Sequence, residues 1–155
     1  MGVVGTGVVQ ALSQRAALLS DQAGLPLQLT RVLVRDPSRL RGAELPPGIL
    51  TTDHSAVIED PATDIVVEVM GGEEPAHRYV RQALEMGRCV VTANKELMAK
   101  HGASLQGLAQ ERGVALLFEA AVGGGIPVIA AFRRGLRPRV SRPSGPSSMG
   151  RPTTS

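Results

Sequence analysis

The sequence predicts an α/β domain with a Rossmann-like, doubly wound parallel sheet. Three observations lead there. Short apolar runs alternate with helical segments along most of the 155 residues. Those runs end repeatedly in glycine, charged or small polar residues. And 43% of residues are apolar while only 2% are aromatic, so the core must be built from Val, Leu, Ile, Ala and Met. This length suffices for one domain with a sizeable core.

The elements follow in chain order. Val3–Leu19 reads as a helix start leading into an apolar-rich helix. Leu27–Val34 (LQLTRVLV) alternates and is β-branched, as strands are. Pro37 and Pro46-Pro47-Gly48 punctuate a loop before a short strand at Ile49–Asp53 and a brief helix at Ala56–Glu59. Asp64–Gly72 (DIVVEVMGG) is a continuous apolar strand closing on a glycine pair, the pattern of a strand covered by helices on both faces. Pro75 suits a helix's first turn, and that helix runs to Met86 with Gly87 as its stop. Cys89–Thr92 is the next strand. Asn94 can cap a helix from Lys95 to Arg112, with a possible interruption at Gly102. Gly113 ends it, and Val114–Glu119 is the last strand.

Charge separates the body from the tail. The net charge is +3, yet Arg133–Ser155 holds six Arg and no acid, leaving 11 basic against 14 acidic groups before it. No aromatics interleave with those arginines and no nucleic-acid-binding fold surrounds them, so nucleic acid is not an expected partner. No apolar run reaches transmembrane length, so no membrane partner is expected either. The lone Cys89 excludes an internal disulfide, reads as a small core residue and fits a reducing cytoplasm. His54, His77 and His101 lack metal-ligand spacing.

Ligands of open parallel sheets bind beyond the carboxyl ends of the strands. At the start, Gly2-Val3-Val4-Gly5 reads two ways: as part of a pyrophosphate-binding turn, or as tight packing at a helix start. Arg35 and Asp36 follow the Leu27–Val34 strand, where the adenosine ribose is selected. An arginine there pairs with a 2′-phosphate, so the pair leans to NADP while NAD stays possible. Arg39 fits a solvated turn better. Lys95 opposes the dipole at a helix N-terminus, which either a cofactor or anionic substrate or plain solvation explains. Glu119 opens a turn of three glycines, which reads as an inter-lobe linker or as oxygen ligands for a hard cation.

Taken together, DIVVEVMGG, CVVTANKELMAKHG and FEAAVGGGIPVI resemble the nucleotide-binding half of homoserine dehydrogenase, over about Gly2 to Leu136. The resemblance implies an enzyme that uses NAD(P)H to reduce L-aspartate 4-semialdehyde to L-homoserine, on the route to threonine, methionine and isoleucine. It implies that Gly2, Val3, Val4 and Gly5 form the pyrophosphate loop and that Arg35 favours the 2′-phosphate. Lys95 matches a lysine that contacts the nicotinamide side, and Thr92, from the same VTANK string, is counted with it among the cofactor-binding residues. Glu119, with the carbonyls of Val122, Gly124 and Ile126, matches a sodium or other monovalent-cation site. The other readings are a non-catalytic dinucleotide-binding fragment and a different Rossmann oxidoreductase.

The family pattern also includes a strand with a first glycine before Met1, and a substrate domain after the hinge that carries the catalytic residues. No catalytic residue is therefore assigned here, and a homo-oligomer is expected of the intact enzyme only. Residues 1–136 are expected to form an incomplete NAD(P)-binding domain, and 137–155 a disordered tail. With TCN codons for Ser and CGN for Arg, the tail's closing PSSMGRPTTS, read from the third base of the Pro146 codon, permits the family's IVNGTTNYI at all nine positions. A reading-frame shift near Arg142–Pro143 is the expectation.

Overall fold

Among the described residues, strand pairing forms two parallel sheets. The computed structural model describes residues 2–38 and 45–118. Helix α1 (Val3–Gln14) and helix α2 (Ala16–Ala23) precede strand β1 (Val32–Leu33) and strand β2 (Leu50–Thr51). Helix α3 (Ser55–Ile58), strand β3 (Ile65–Glu68), helix α4 (Ala76–Glu85), strand β4 (Cys89–Thr92), helix α5 (Lys95–Arg112) and strand β5 (Leu116–Leu117) follow. One sheet is β1-β2 and the other β3-β4-β5, with every pair parallel. In β3 and β4, Ile65 stands opposite Cys89 and Glu68 opposite Thr92.

The larger sheet holds the core. Val66, Val90 and Leu116 face α4 and α5, where Val80, Ala83, Leu84, Leu97 and Leu105 are buried. Ile65, Val67, Cys89 and Leu117 pack around Val91 on the opposite face, where most are only half-buried. Helices of small and branched aliphatic residues seat closely on such a sheet, which is why so few aromatics suffice. Cys89 packs as expected of a small apolar side chain, and burial raises its thiol pKa.

Several boundaries differ from the sequence expectation. The first helix breaks at Arg15, whose backbone leaves helical geometry (φ −120°, ψ 23°), and resumes as α2. The Leu27–Val34 run pairs only at its end. The Leu27 amide is held by the Ser20 hydroxyl (3.2 Å), whereas the Val32 and Val34 amides reach the carbonyls of Ile49 and Thr51. Strand β3 stops at Glu68, level with the end of β4, and β5 covers two of the five described residues of the expected Val114–Glu119 strand. Strands β1 and β3 run only as far as their partners β2 and β4, which an apolar run does not record. Helix α5 passes Gly102 without interruption. A Cβ there would lie 3.2 Å from the Met98 Cε, so the glycine admits close packing and does not break the helix. Gly113 closes α5 in the left-handed region (φ 65°), where residues without a Cβ are favoured.

Candidate nicotinamide-dinucleotide site

The N-terminus of α1 is an uncapped donor cluster. Gly2 is the N-cap with no side-chain hydrogen bond, and the first turn carries no acidic residue. The amides of Val3, Val4 and Gly5 therefore lack intrahelical acceptors, and the helix dipole adds partial positive charge. The Gly2 carbonyl accepts from the Thr6 amide (2.9 Å) and hydroxyl (3.0 Å), which pins the turn. Val3 is 92% exposed. Helix α5 is the contrast: the Asn94 side chain accepts from the Leu97 amide (3.1 Å), and Glu96 sits in its first turn.

Gly2, Gly5 and the exposed Arg35 line one cavity of about 1170 Å³, together with Asp36, Glu68 and Met70. A helix N-terminus and a guanidinium lining one cavity suit a phosphorylated ligand. The Asp36 carboxylate is engaged locally, accepting from the Ser38 amide (2.8 Å) and hydroxyl (2.6 Å). That leaves Arg35 as the more available of the two for a ribose substituent. Arg39 lies outside the described residues.

A buried polar network lies at the end of β3 and β4. Thr92 is fully buried, and its hydroxyl donates to Glu68 Oε2 (2.5 Å) while accepting from the Asn94 amide (3.1 Å). Glu68 Oε1 accepts from the Met70 amide (2.7 Å). Asn94 Nδ2 donates to the Gly72 carbonyl (2.6 Å), tying the Gly71-Gly72 turn to the start of α5. Both glycines have positive φ (74° and 76°), which lets the chain turn sharply over that network. The Thr92 side chain is thus committed to protein groups, and only its backbone and its bracing of the loop remain for a ligand.

Lys95 is exposed at the first position of α5, and its ammonium has no partner among the described residues. Neither Thr92 nor Lys95 lines the cavity shared by Gly2 and Arg35, so the two candidate groups stand at different strand ends. Glu119, Val122, Gly124 and Ile126 lie outside the described residues, as does the tail from 137 to 155. Among the described residues no His, Cys, Asp and Glu cluster could hold a metal, and no helix is long and apolar enough to cross a membrane.

One cluster went unread in the sequence. Glu73, after the glycine turn, accepts from Lys100 Nζ (2.6 Å) and meets His101 Nε2 (2.8 Å); Lys100 also reaches Glu96 (2.8 Å). These bonds lower the Glu73 carboxyl from 4.5 to about 2 and raise Lys100 above its ordinary value. The His77 and His101 rings stack with centroids 3.9 Å apart. The spacing Glu73 to His101 spans two elements, so no local pattern announces it. A charged residue inside the apolar DIVVEV run was the one available signal for the Glu68 network.

Comparison with known proteins agrees with this geometry. Residues 1–119 match the family described as homoserine dehydrogenase, NAD binding domain. The homoserine dehydrogenase of Bacillus subtilis is 43% identical over 136 residues, covering 88% of this chain and 31% of that protein. The Corynebacterium glutamicum enzyme is 44% identical over 135 residues, covering 87% and 30%. A crystal structure of the S. aureus homoserine dehydrogenase superposes with a TM-score of 0.74 at 41% identity, over 79% of this chain and 32% of that one. The Thiobacillus denitrificans enzyme gives 0.71 at 42%, over 78% and 28%. The chain spans about a third of the length of these relatives. Strand order, the donor cluster on α1 and these matches together place it in the homoserine dehydrogenase family, as a nicotinamide-dinucleotide-binding domain of Rossmann type.

Proposed function

We propose that this chain is the cofactor-holding portion of a homoserine dehydrogenase that interconverts L-homoserine and L-aspartate 4-semialdehyde. The observation that carries the reading is the uncapped N-terminus of α1, whose Gly2 and Gly5 line the same cavity as Arg35. The amides of Val3, Val4 and Gly5 bind the pyrophosphate, with Gly2 and Gly5 allowing close approach. Arg35 pairs with the 2′-phosphate, which makes NADP the preferred cofactor over NAD. Lys95 provides positive charge on the nicotinamide side. Thr92 acts through its backbone and through Glu68, holding the end of β4 rigid. Glu119 and the carbonyls of Val122, Gly124 and Ile126 are the proposed ligands of a monovalent cation such as sodium.

The cofactor supplies the hydride, and residues 1–136 bind and orient it. The groups that bind homoserine and move its proton belong, in this reading, to the part of the relatives' length that the chain does not span. A cytoplasmic enzyme, oligomeric when intact, fits the same reading. Titrating the chain with NADPH and NADH tests it, following nicotinamide fluorescence and thermal stability. Saturable binding with tighter NADPH is expected, without homoserine-dependent reduction of NADP. Absence of binding by a folded chain overturns it.

A further inference from the structure

The glycine turn after β3 is fastened at three points in succession. The Met70 amide donates to Glu68 Oε1 (2.7 Å), and the Gly72 carbonyl accepts from Asn94 Nδ2 (2.6 Å). The third point is the Glu73 carboxylate, which accepts from Lys100 Nζ (2.6 Å) through one oxygen and meets His101 Nε2 (2.8 Å) through the other. Lys100 is itself held by Glu96 (2.8 Å), and the His101 ring by stacking on His77 of α4 at 3.9 Å. The Glu73 carbonyl accepts from the His77 amide (2.9 Å), which joins the turn to α4.

Gly71 and Gly72 both stand at positive φ, and glycine loses more conformational freedom on ordering than any other residue. A ligand that binds an unfastened turn must supply that ordering, and its affinity falls accordingly. Among the described residues the amides of Gly71 and Gly72 have no acceptor, and both residues are exposed. Two free donors are thus presented on a braced backbone, beside Asn94 and Lys95. A lone exposed ion pair would brace little. Glu73 has two partners, each with a second contact of its own, and in such networks surface charges act together.

We propose that Glu73 is a positioning residue: through Lys100 and His101 it holds the Gly71-Gly72 turn in the shape that receives the nicotinamide half of the dinucleotide. The proposal rests on the cofactor reading above, in which Arg35 takes the adenosine end and α1 the pyrophosphate. The remaining half then reaches the ends of β3 and β4, where the two glycine amides and Lys95 stand. Glu73 touches no ligand in this arrangement. It orders the backbone that does.

Calorimetric titration of the full 155-residue chain with two ligands tests the role. One is NADPH; the other is 2′-phosphoadenosine diphosphoribose, which lacks only the nicotinamide. Glu73→Ala should weaken NADPH about two- to fivefold, the range of a small surface network, and leave the shorter ligand unchanged. Amide exchange at Gly71 and Gly72 should quicken in the same variant without ligand. Glu73→Gln keeps one acceptor oxygen and should recover part of the affinity. Lys100→Ala removes the partner instead and should repeat the pattern, so it decides the matter where Glu73→Ala fails to fold. A merely structural role would weaken both ligands alike. Equal losses, or none, in variants of a parent that binds NADPH overturn the positioning role and leave the cofactor reading standing. A folded parent that binds neither ligand overturns both.

Discussion

The Glu68 carboxylate on β3 and the Thr92 hydroxyl on β4 face each other across the sheet, 2.5 Å apart and both buried. They stand opposite in the strand register, at the last paired position of the two strands. A carboxylate there would be costly without donors, and it has two, from Thr92 and from the Met70 amide. The network therefore fixes where β3 ends and the glycine turn begins.

Thr92→Val keeps shape and removes both roles of the hydroxyl. Glu68 Oε2 loses its donor and the Asn94 amide its acceptor. The expected loss is about 1–3 kcal/mol, because buried polar groups are left unsatisfied. Urea denaturation of the variant against the parent measures it; an unchanged midpoint would contradict the assigned bonds.

Asn94 joins two functions that substitutions can separate. Asn94→Ala removes the cap of α5 and the tie to Gly72, with an expected cost of about 1–2 kcal/mol. Asn94→Asp keeps the acceptor for Leu97 and suits the helix dipole, but puts an acceptor against the Gly72 carbonyl. It should lose less global stability than the alanine variant while freeing the glycine turn. Faster amide exchange confined to residues 70–73 checks the second half.

Legibility in the sequence followed the range of the interactions. The ends of β4 and α5 were readable to the residue, because the Asn94 cap and the Gly113 stop act within one turn. Strand β1 came out shorter than its apolar run, since it extends only as far as its partner β2, whereas β5 pairs at two of the four positions of β4. Arg35 and Lys95 could be singled out by position after a strand, and the α1 glycines by their spacing at a helix start. Thr92 was singled out too, but its hydroxyl turned inward because Glu68, 24 residues away, takes it. The Glu73–Lys100–His101 cluster needed the α4–α5 packing to exist before it had any meaning.

Arg35→Ala should discriminate between cofactors. Losing a charge-assisted pair with a 2′-phosphate weakens NADPH binding by about tenfold to a hundredfold, since such bonds contribute about 1.5–3 kcal/mol. NADH lacks that phosphate, and its affinity should hardly change. Parallel fluorescence titrations decide the matter. Equal losses for both cofactors would move Arg35 from selecting the ribose to a general electrostatic role.

Glu73 sets an acid-side stability window. Its carboxyl falls from 4.5 to about 2, first through the hydrogen bond from Lys100 and then through that from His101. A folded-state value below the unfolded one means the folded protein holds its proton less tightly. The contribution is thus complete above pH 4.5 and is lost as pH falls towards about 2. Glu73 and Lys100 are both partly exposed, so solvent screening keeps the effect modest. Glu73→Gln retains an acceptor but not the charge, and should lower the thermal midpoint slightly at pH 6. The difference from the parent should shrink steadily between pH 4.5 and about 2, because the parent's carboxylate is then being protonated as well. Thermal melts of both proteins across that range test this directly. A difference independent of pH would show that Glu73 acts through shape and not through charge.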